Sequence, residues 1–546
     1  MAGLLFPAAD DPLAALRWAL SMLRRLLGET ATVGADPLRI TWEQAPVVDV
    51  PAIRTADPAE VASFADLDHD LLESMTFPGC PSFEIWLEAQ RRHARCAAAS
   101  LLHDAALARL ARGDADGSAD LAARLVALDP YDENSQVLLV RSLAVGGRGV
   151  DAARQAAACR DLFRTDLGVE PGPALDAALT SSTATPTARA AGGRAAVRAL
   201  IDAGEAAVGA GALEAGLQCL RRAVADAGAL GAGDLGARSA AALGSALVHA
   251  ARGSDEEGVT SLHRALAGPG AEPHTVAHAL GELAYVEFLR GRYDRVEVSL
   301  ARAAEVTTDP AQQAAALTVR GSALSDVGRY GPALAALREA FDVAQDERRR
   351  AYVLSMVGRV QLLRGEPDAA EVLDESISRA SAAGWMSFLP WPQALRAEAD
   401  LQQGDVDGAA ARFEHAFALG CQIGDPCWEG LAARGLGLVH AARGDVDAAV
   451  TTLLDARRRA VRLPDAYVWV HAYVLDALAT VGVAHRLPHA AEWVAELAAL
   501  AGRCGMAELA ARAAVHRWRL GDAAARDAAW ALGAVVDNPV LHALLS

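Results

Sequence analysis

Evenly spaced glycines constrain this 546-residue chain more than any other feature. Gly211, Gly253, Gly291, Gly328, Gly365, Gly404 and Gly444 stand 42, 38, 37, 37, 39 and 40 residues apart, each inside a recurring phrase such as VGRYGPALAALREA, QGDVDGAAARFEHA or RGDVDAAVTTLLDA. A period near forty means a helix pair repeated along the chain, stacked into a solenoid. Composition agrees, because the hydrophobic residues are mostly Ala and Leu, which favour helices, while the aromatics that favour strands make up only 5%.

Within each unit the spacing resembles the tetratricopeptide repeat. A small residue stands seven before the turn glycine and another five after it, then an apolar and a small residue nine and twelve after. Around Gly328 these are Gly321, Ala333, Leu337 and Ala340; around Gly404, Ala397, Ala409, Phe413 and Ala416; around Gly444, Gly437, Ala449, Leu453 and Ala456. Small residues are required where the helices of a hairpin cross closely, and the larger apolar residue fills the hole beside them. The turn glycine lets the chain leave its helix with positive φ. After Gly365 the apolar position is Asp374, and Gly216 and Gly258 replace the first small residue in two units. Two weaker units turn near His485 and at Gly521. The solenoid is expected over residues 194–546.

A stretch rich in Ser, Thr, Ala, Gly and Pro, residues 181–193, reads as a linker. Before it a second helical block turns at Gly113 and Gly147, thirty-four residues apart. LDPYDEN, Leu128 to Asn134, reads as a helix start with acids in the first turn, and LGVEPGPAL, Leu167 to Leu175, as a rigid stop. With the Gly147-Arg148 turn, these phrases resemble, in order and spacing, the bacterial transcriptional activator domain of SARP-type regulators. LLESMTFPGCPSFEIWLEAQRRHAR, Leu71 to Arg95, resembles the start of the same module, with Trp86 as a packing residue and an Arg-rich helix. The module is placed at residues 51–180; Asn134 stands where the family more often has a basic residue. The resemblance implies protein contacts through the helical modules, to RNA polymerase, another protein or a second copy.

Residues 1–50 resemble the C-terminal half of the OmpR-type winged helix that precedes this module in the family. LLFPAADDPLAALRWALSMLRRLLG corresponds to its recognition helix and PLRITWEQAPVVDV to its wing; its N-terminal sheet and first helix have no counterpart. Leu13, Leu16, Leu20, Leu23 and Leu27 form one apolar stripe. Arg17, Ser21, Arg24 and Arg25 lie on the adjoining face with no acid among them, and Arg39 falls in the wing. Such residues contact phosphates and guanine edges, so these five are the expected DNA-binding set.

All 51 basic residues are Arg, which removes lysine-dependent chemistry, and no Walker A motif, hydrolase elbow or zinc-spaced Cys or His pattern occurs. DLDHD, Asp66 to Asp70, reads as a solvated loop, and the seven cysteines as core fillers. A formal charge of −18 confines nucleic-acid contact to a local basic patch. The sequence is therefore read as an all-α, cytoplasmic, non-enzymatic protein without cofactor, metal site or membrane span. The expected function is SARP-like regulation, with promoter DNA at the N-terminal segment and a protein or effector at the solenoid. The alternative is a repeat scaffold for protein–protein contact with no DNA role.

Overall fold

The computed structural model describes residues 2–6, 9, 11–28, 30–35, 38–42, 50, 52–53, 56, 58–64, 67, 69–77, 80–179, 193–209, 212–251, 253–463 and 466–545. The expected linker, except Gly193, the wing's exit at residues 43–49, Asp66, Asp68 and the turn glycine Gly211 lie outside them. The chain forms two compact units, Met1–Thr185 and Pro186–Ser546.

In the first unit a short helix, α1 (Ala2–Leu5), precedes α2 (Pro12–Leu27). Asp11 caps α2, accepting from the backbone N–H groups of Leu13 and Ala14 at 3.0 Å each, and Pro12 opens its first turn. Strands β1 (Ala31–Ala35) and β2 (Leu38–Trp42) follow as an antiparallel hairpin with Ala31 opposite Trp42 and Gly34 opposite Arg39. The activator-like block then runs through α3 (Pro81–Ala111), α4 (Ala115–Leu128), α5 (Glu133–Val145), α6 (Gly149–Leu162) and α7 (Pro173–Leu179). Its core holds Leu102, Leu107, Ala122, Leu138 and Ala156, all buried.

The second unit is a row of helix hairpins. The first four are α8 (Arg194–Gly209) with α9 (Leu213–Ala229), α10 (Gly233–Ala250) with α11 (Asp255–Ala267), α12 (Pro273–Leu289) with α13 (Tyr293–Val306), and α14 (Pro310–Asp326) with α15 (Tyr330–Val343). Five more follow: α16 (Glu347–Leu363) with α17 (Ala369–Ala382), α18 (Pro390–Gln402) with α19 (Val406–Ile423), α20 (Pro426–Ala442) with α21 (Val446–Ala460), α22 (Val468–Ala484) with α23 (Ala490–Cys504), and α24 (Ala507–Arg519) with α25 (Ala525–Gly533). The short α26 (Pro539–Leu545) ends the row. The architecture is thus an all-α, tetratricopeptide-like solenoid with one two-stranded hairpin among the described residues.

The repeat signature works as a lock within each hairpin. A Cβ on Gly321 would lie 2.6 Å from Leu337 Cγ, and one on Gly437 would lie 2.6 Å from Leu453 Cγ, so only glycine admits the leucine that closes the crossing. The fifth hairpin shows why Asp374 breaks the pattern. There Leu373, one residue earlier and fully buried, fills the groove at Gly358, while Asp374 faces outward and accepts from Arg396 Nε at 3.0 Å. The weaker units turn where expected, with φ of 52° at Arg486 and 105° at Gly521. The cysteines do not all fill the core: Cys159 and Cys427 are buried, but Cys96 and Cys421 are exposed.

Candidate nucleic-acid interface and activator module

The five expected DNA-contacting residues lie on or beside one helix, but they are not equivalent. Arg17 and Arg25 are exposed on α2. Arg24 is exposed too, yet its Nε donates to Val33 O on β1 at 3.1 Å, so it braces the hairpin against the helix. Ser21 is half-buried. Arg39 pairs with Gly34 across the hairpin, and its side chain lies outside the described residues. Arg24 and Arg25 also occupy the last turn of α2, where cations are stabilised by the helix dipole.

The leucine stripe is covered less than a packed core face requires. Leu16, Leu20, Leu23 and Leu27 are half-buried and Leu13 is 57% exposed. At about 100° per residue, Leu13 sits at the edge of the stripe next to Arg24, and among the described residues the main packing of α2 is against short elements, α1 and β1.

The activator-like block is stitched together by its two motif phrases. Asp132 caps α5 through the N–H groups of Asn134 and Ser135, at 3.3 and 3.2 Å. Glu133 Oε1 reaches across the fold to accept from Gly172 N at 2.8 Å, and Tyr131 Oη donates to Asp166 Oδ2 at 2.9 Å. LDPYDEN therefore holds LGVEPGP directly: Gly168, with φ of 70°, ends the preceding helical turn, and the proline-rich stop is pinned beside the start of α5. Gln136 adds a bond to Pro130 O at 2.9 Å. The Arg-rich helix α3 is also structural. Arg91 donates to Leu71 O and Leu72 O at 2.9 and 2.8 Å, and Arg95 grips Asp70 at 2.6 and 2.7 Å, holding that carboxyl below its usual range through the hydrogen bond. Trp86 packs less than expected: it stacks on Phe83 at 5.4 Å but stays 43% exposed.

Residues 56–180 match the family model of the bacterial transcriptional activator domain. The chain carries a bacterial transcriptional activator domain. Both motif phrases of the activator domain, and the bonds between them, fall inside the matched residues. No curated protein matches the chain. Solved structures similar to it include a Rap protein complexed with competence and sporulation factor, at 11% identity and a TM-score of 0.42, covering 64% of this chain and 88% of that one. NprR in complex with its cognate peptide NprX is similar at 13% identity and a TM-score of 0.44, over 55% and 88% of the two chains. Aspartyl phosphate phosphatase F from Bacillus subtilis is similar at 12% identity and a TM-score of 0.34, over 65% and 86%.

The solenoid that follows the activator domain hides a feature the sequence reading missed. On six consecutive first helices, α14 to α24, acid and arginine alternate: Asp326, Arg359, Glu398, Arg434, Asp476 and Arg512. They pair as Arg359–Asp326 at 2.7 Å, Arg434–Glu398 at 2.9 Å and Arg512–Asp476 at 3.8 Å. Arg359, fully buried, also donates to Tyr467 Oη at 2.8 Å and lies 4.4 Å from the Trp469 ring. Tyr293 and Tyr467 both donate to Asp326. Burial pushes the Asp326 carboxyl above its ordinary pKa and the Tyr293 and Tyr467 hydroxyls well above theirs. A signal was present, because Arg359, Arg434 and Arg512 interrupt apolar helix faces with an acid about one repeat upstream.

Among the described residues, no group of three or more His, Cys, Asp or Glu is arranged to hold a metal ion, and no helix is long and apolar enough to cross a membrane.

Proposed function

We propose that the protein is a cytoplasmic, non-enzymatic, SARP-like transcriptional regulator in which α2 and the β1–β2 hairpin contact promoter DNA. The activator domain meets RNA polymerase, another protein or a second copy, and the solenoid receives a protein or effector signal. The observation that carries this reading is the activator domain following a capped helix and its hairpin, the helix presenting Arg17 and Arg25 to solvent. An exposed arginine pair beside a hairpin braced by Arg24 suits phosphate contact flanking a groove, where each neutralised phosphate releases counterions.

The test is selection of binding sites from random duplexes by the full chain, followed by fluorescence anisotropy between about 50 and 200 mM salt. Replacing both Arg17 and Arg25 with Ala should weaken binding to every selected sequence and lower the log–log salt slope by about two, one per phosphate contact. No enriched sequence and no salt-dependent binding would leave the scaffold reading in its place.

A further inference from the structure

The second unit does not leave its hairpin turns open along their length. The chain returns across them in order. A Cβ on Gly253 would lie 3.5 Å from Leu463, one on Gly291 2.7 Å from Val468 and 2.9 Å from Cys504, one on Gly328 3.4 Å from Val536, and one on Gly365 2.9 Å from Val540. The next two turn glycines, Gly404 and Gly444, would meet nothing within 4 Å. Glycine is thus doubly required at Gly291 and Gly365, for φ of 72° and 68° and for close approach of a second coil.

Polar contacts follow the same line. Asn538, fully buried, donates its amide to Leu363 O at 3.1 Å and to Glu508 Oε2 at 2.8 Å, while its carbonyl oxygen accepts from Val540 N at 2.9 Å and Leu541 N at 3.4 Å. Leu363 is the last residue of α16, and its carbonyl is one that the helix leaves without an internal partner. One side chain therefore starts α26 and closes the end of α16, 175 residues away. Beside it Arg364 donates to Asp537 Oδ2 at 2.8 Å, and Tyr330 donates to Glu508.

We propose that residues 534–545 are an intramolecular latch, closed when Asn538 caps α16, whose release lets the two coils of the solenoid part along the turns at Gly328 and Gly365. The segment is short and is held by four buried side chains, Val536, Asn538, Leu541 and Leu545, while Val535 remains 74% exposed. When it lifts, water replaces the amide at the α16 carbonyl and at Glu508, while the bonds of Tyr467 to Asp326 and Arg359 keep the coils joined behind the Gly328 turn. Any ligand or partner that binds the parted form more tightly shifts the solenoid toward it. This inference concerns the second unit alone and stands or falls independently of DNA binding.

The test uses the full chain and its Asn538→Ala variant in hydrogen–deuterium exchange, small-angle scattering and circular dichroism. The variant should exchange about tenfold faster at Leu362–Glu366 and Gly328–Tyr330, the size of effect that losing a buried hydrogen bond gives, with a larger radius of gyration and unchanged helicity. The turns at Gly404 and Gly444 should not change. Tyr330→Phe, which removes one hydroxyl and no volume of note, should accelerate the same turns to a smaller extent. Unchanged exchange at Gly328 and Gly365, or uniform acceleration across the whole unit, would overturn the proposal, the latter because the segment would then belong to one cooperative core.

Discussion

Replacing Arg359 with Met isolates the largest electrostatic commitment in the solenoid. Methionine keeps much of the aliphatic stem but cannot donate to Asp326 Oδ1 or Tyr467 Oη, and it forfeits the cation over Trp469. Asp326 would stay buried with only the tyrosine hydroxyls as donors, Tyr293 at 2.9 Å and Tyr467 at 2.8 Å. Removing one partner of a buried ion pair costs about 3–5 kcal/mol, and these remaining donors place the loss near about 3. With a urea dependence of about 3 kcal/mol/M, the tryptophan-fluorescence midpoint should fall by about 1 M. The pH dependence sharpens the test. The folded-state pKa of Asp326 is already raised by burial, and removing the guanidinium raises it further. A carboxyl with a raised folded pKa contributes stability below its unfolded value of about 3.9 and loses it as pH rises through the folded pKa. The penalty of Arg359→Met should therefore be larger at about pH 7 than at about pH 4, and Asp326→Asn in the same background should recover part of it at neutral pH. A penalty equal at both pH values, or none at all, would refute the assignment of Asp326 as the charge that Arg359 balances.

Two glycine substitutions should act in opposite directions. Gly358→Ala puts a Cβ 2.6 Å from Leu373 Cγ, so overpacking of about 1–3 kcal/mol should outweigh the helix propensity gained and lower the melting temperature. Gly281→Ala, also helical but with nothing within 4 Å of the new Cβ, should instead stabilise by about 0.5–1 kcal/mol. In the activator domain, Glu133→Ala removes the acceptor of Gly172 N and should cost about 1 kcal/mol, whereas Glu133→Gln, which retains an oxygen, should cost less; thermal denaturation of the two variants compares them.

How far each feature was legible depended on the range of the interactions that make it. Helix pairs, their turns and the activator motifs arise from neighbours: a φ only glycine adopts easily, a capping aspartate such as Asp132, a small residue facing Leu337. Such signals lie within a few tens of residues and survive in the letters themselves. Four of the five residues expected to contact DNA, Arg17, Ser21, Arg24 and Arg25, were legible as one face of α2, but Arg24's bond to Val33 O needed the hairpin in place. Asp374 misled because the knob had slipped one position to Leu373, which only the packed groove at Gly358 reveals.

By itself, the order of amino acids determined the repeat unit, because period, caps and small-to-large packing act inside each hairpin. Only tertiary structure decided that the coils meet. Small rotations from one hairpin to the next add up along a solenoid, and their sum brings Tyr467 to Asp326 and Asn538 to Leu363, 141 and 175 residues apart. No local pattern connects such positions, because what selects them is where the accumulated twist returns the chain.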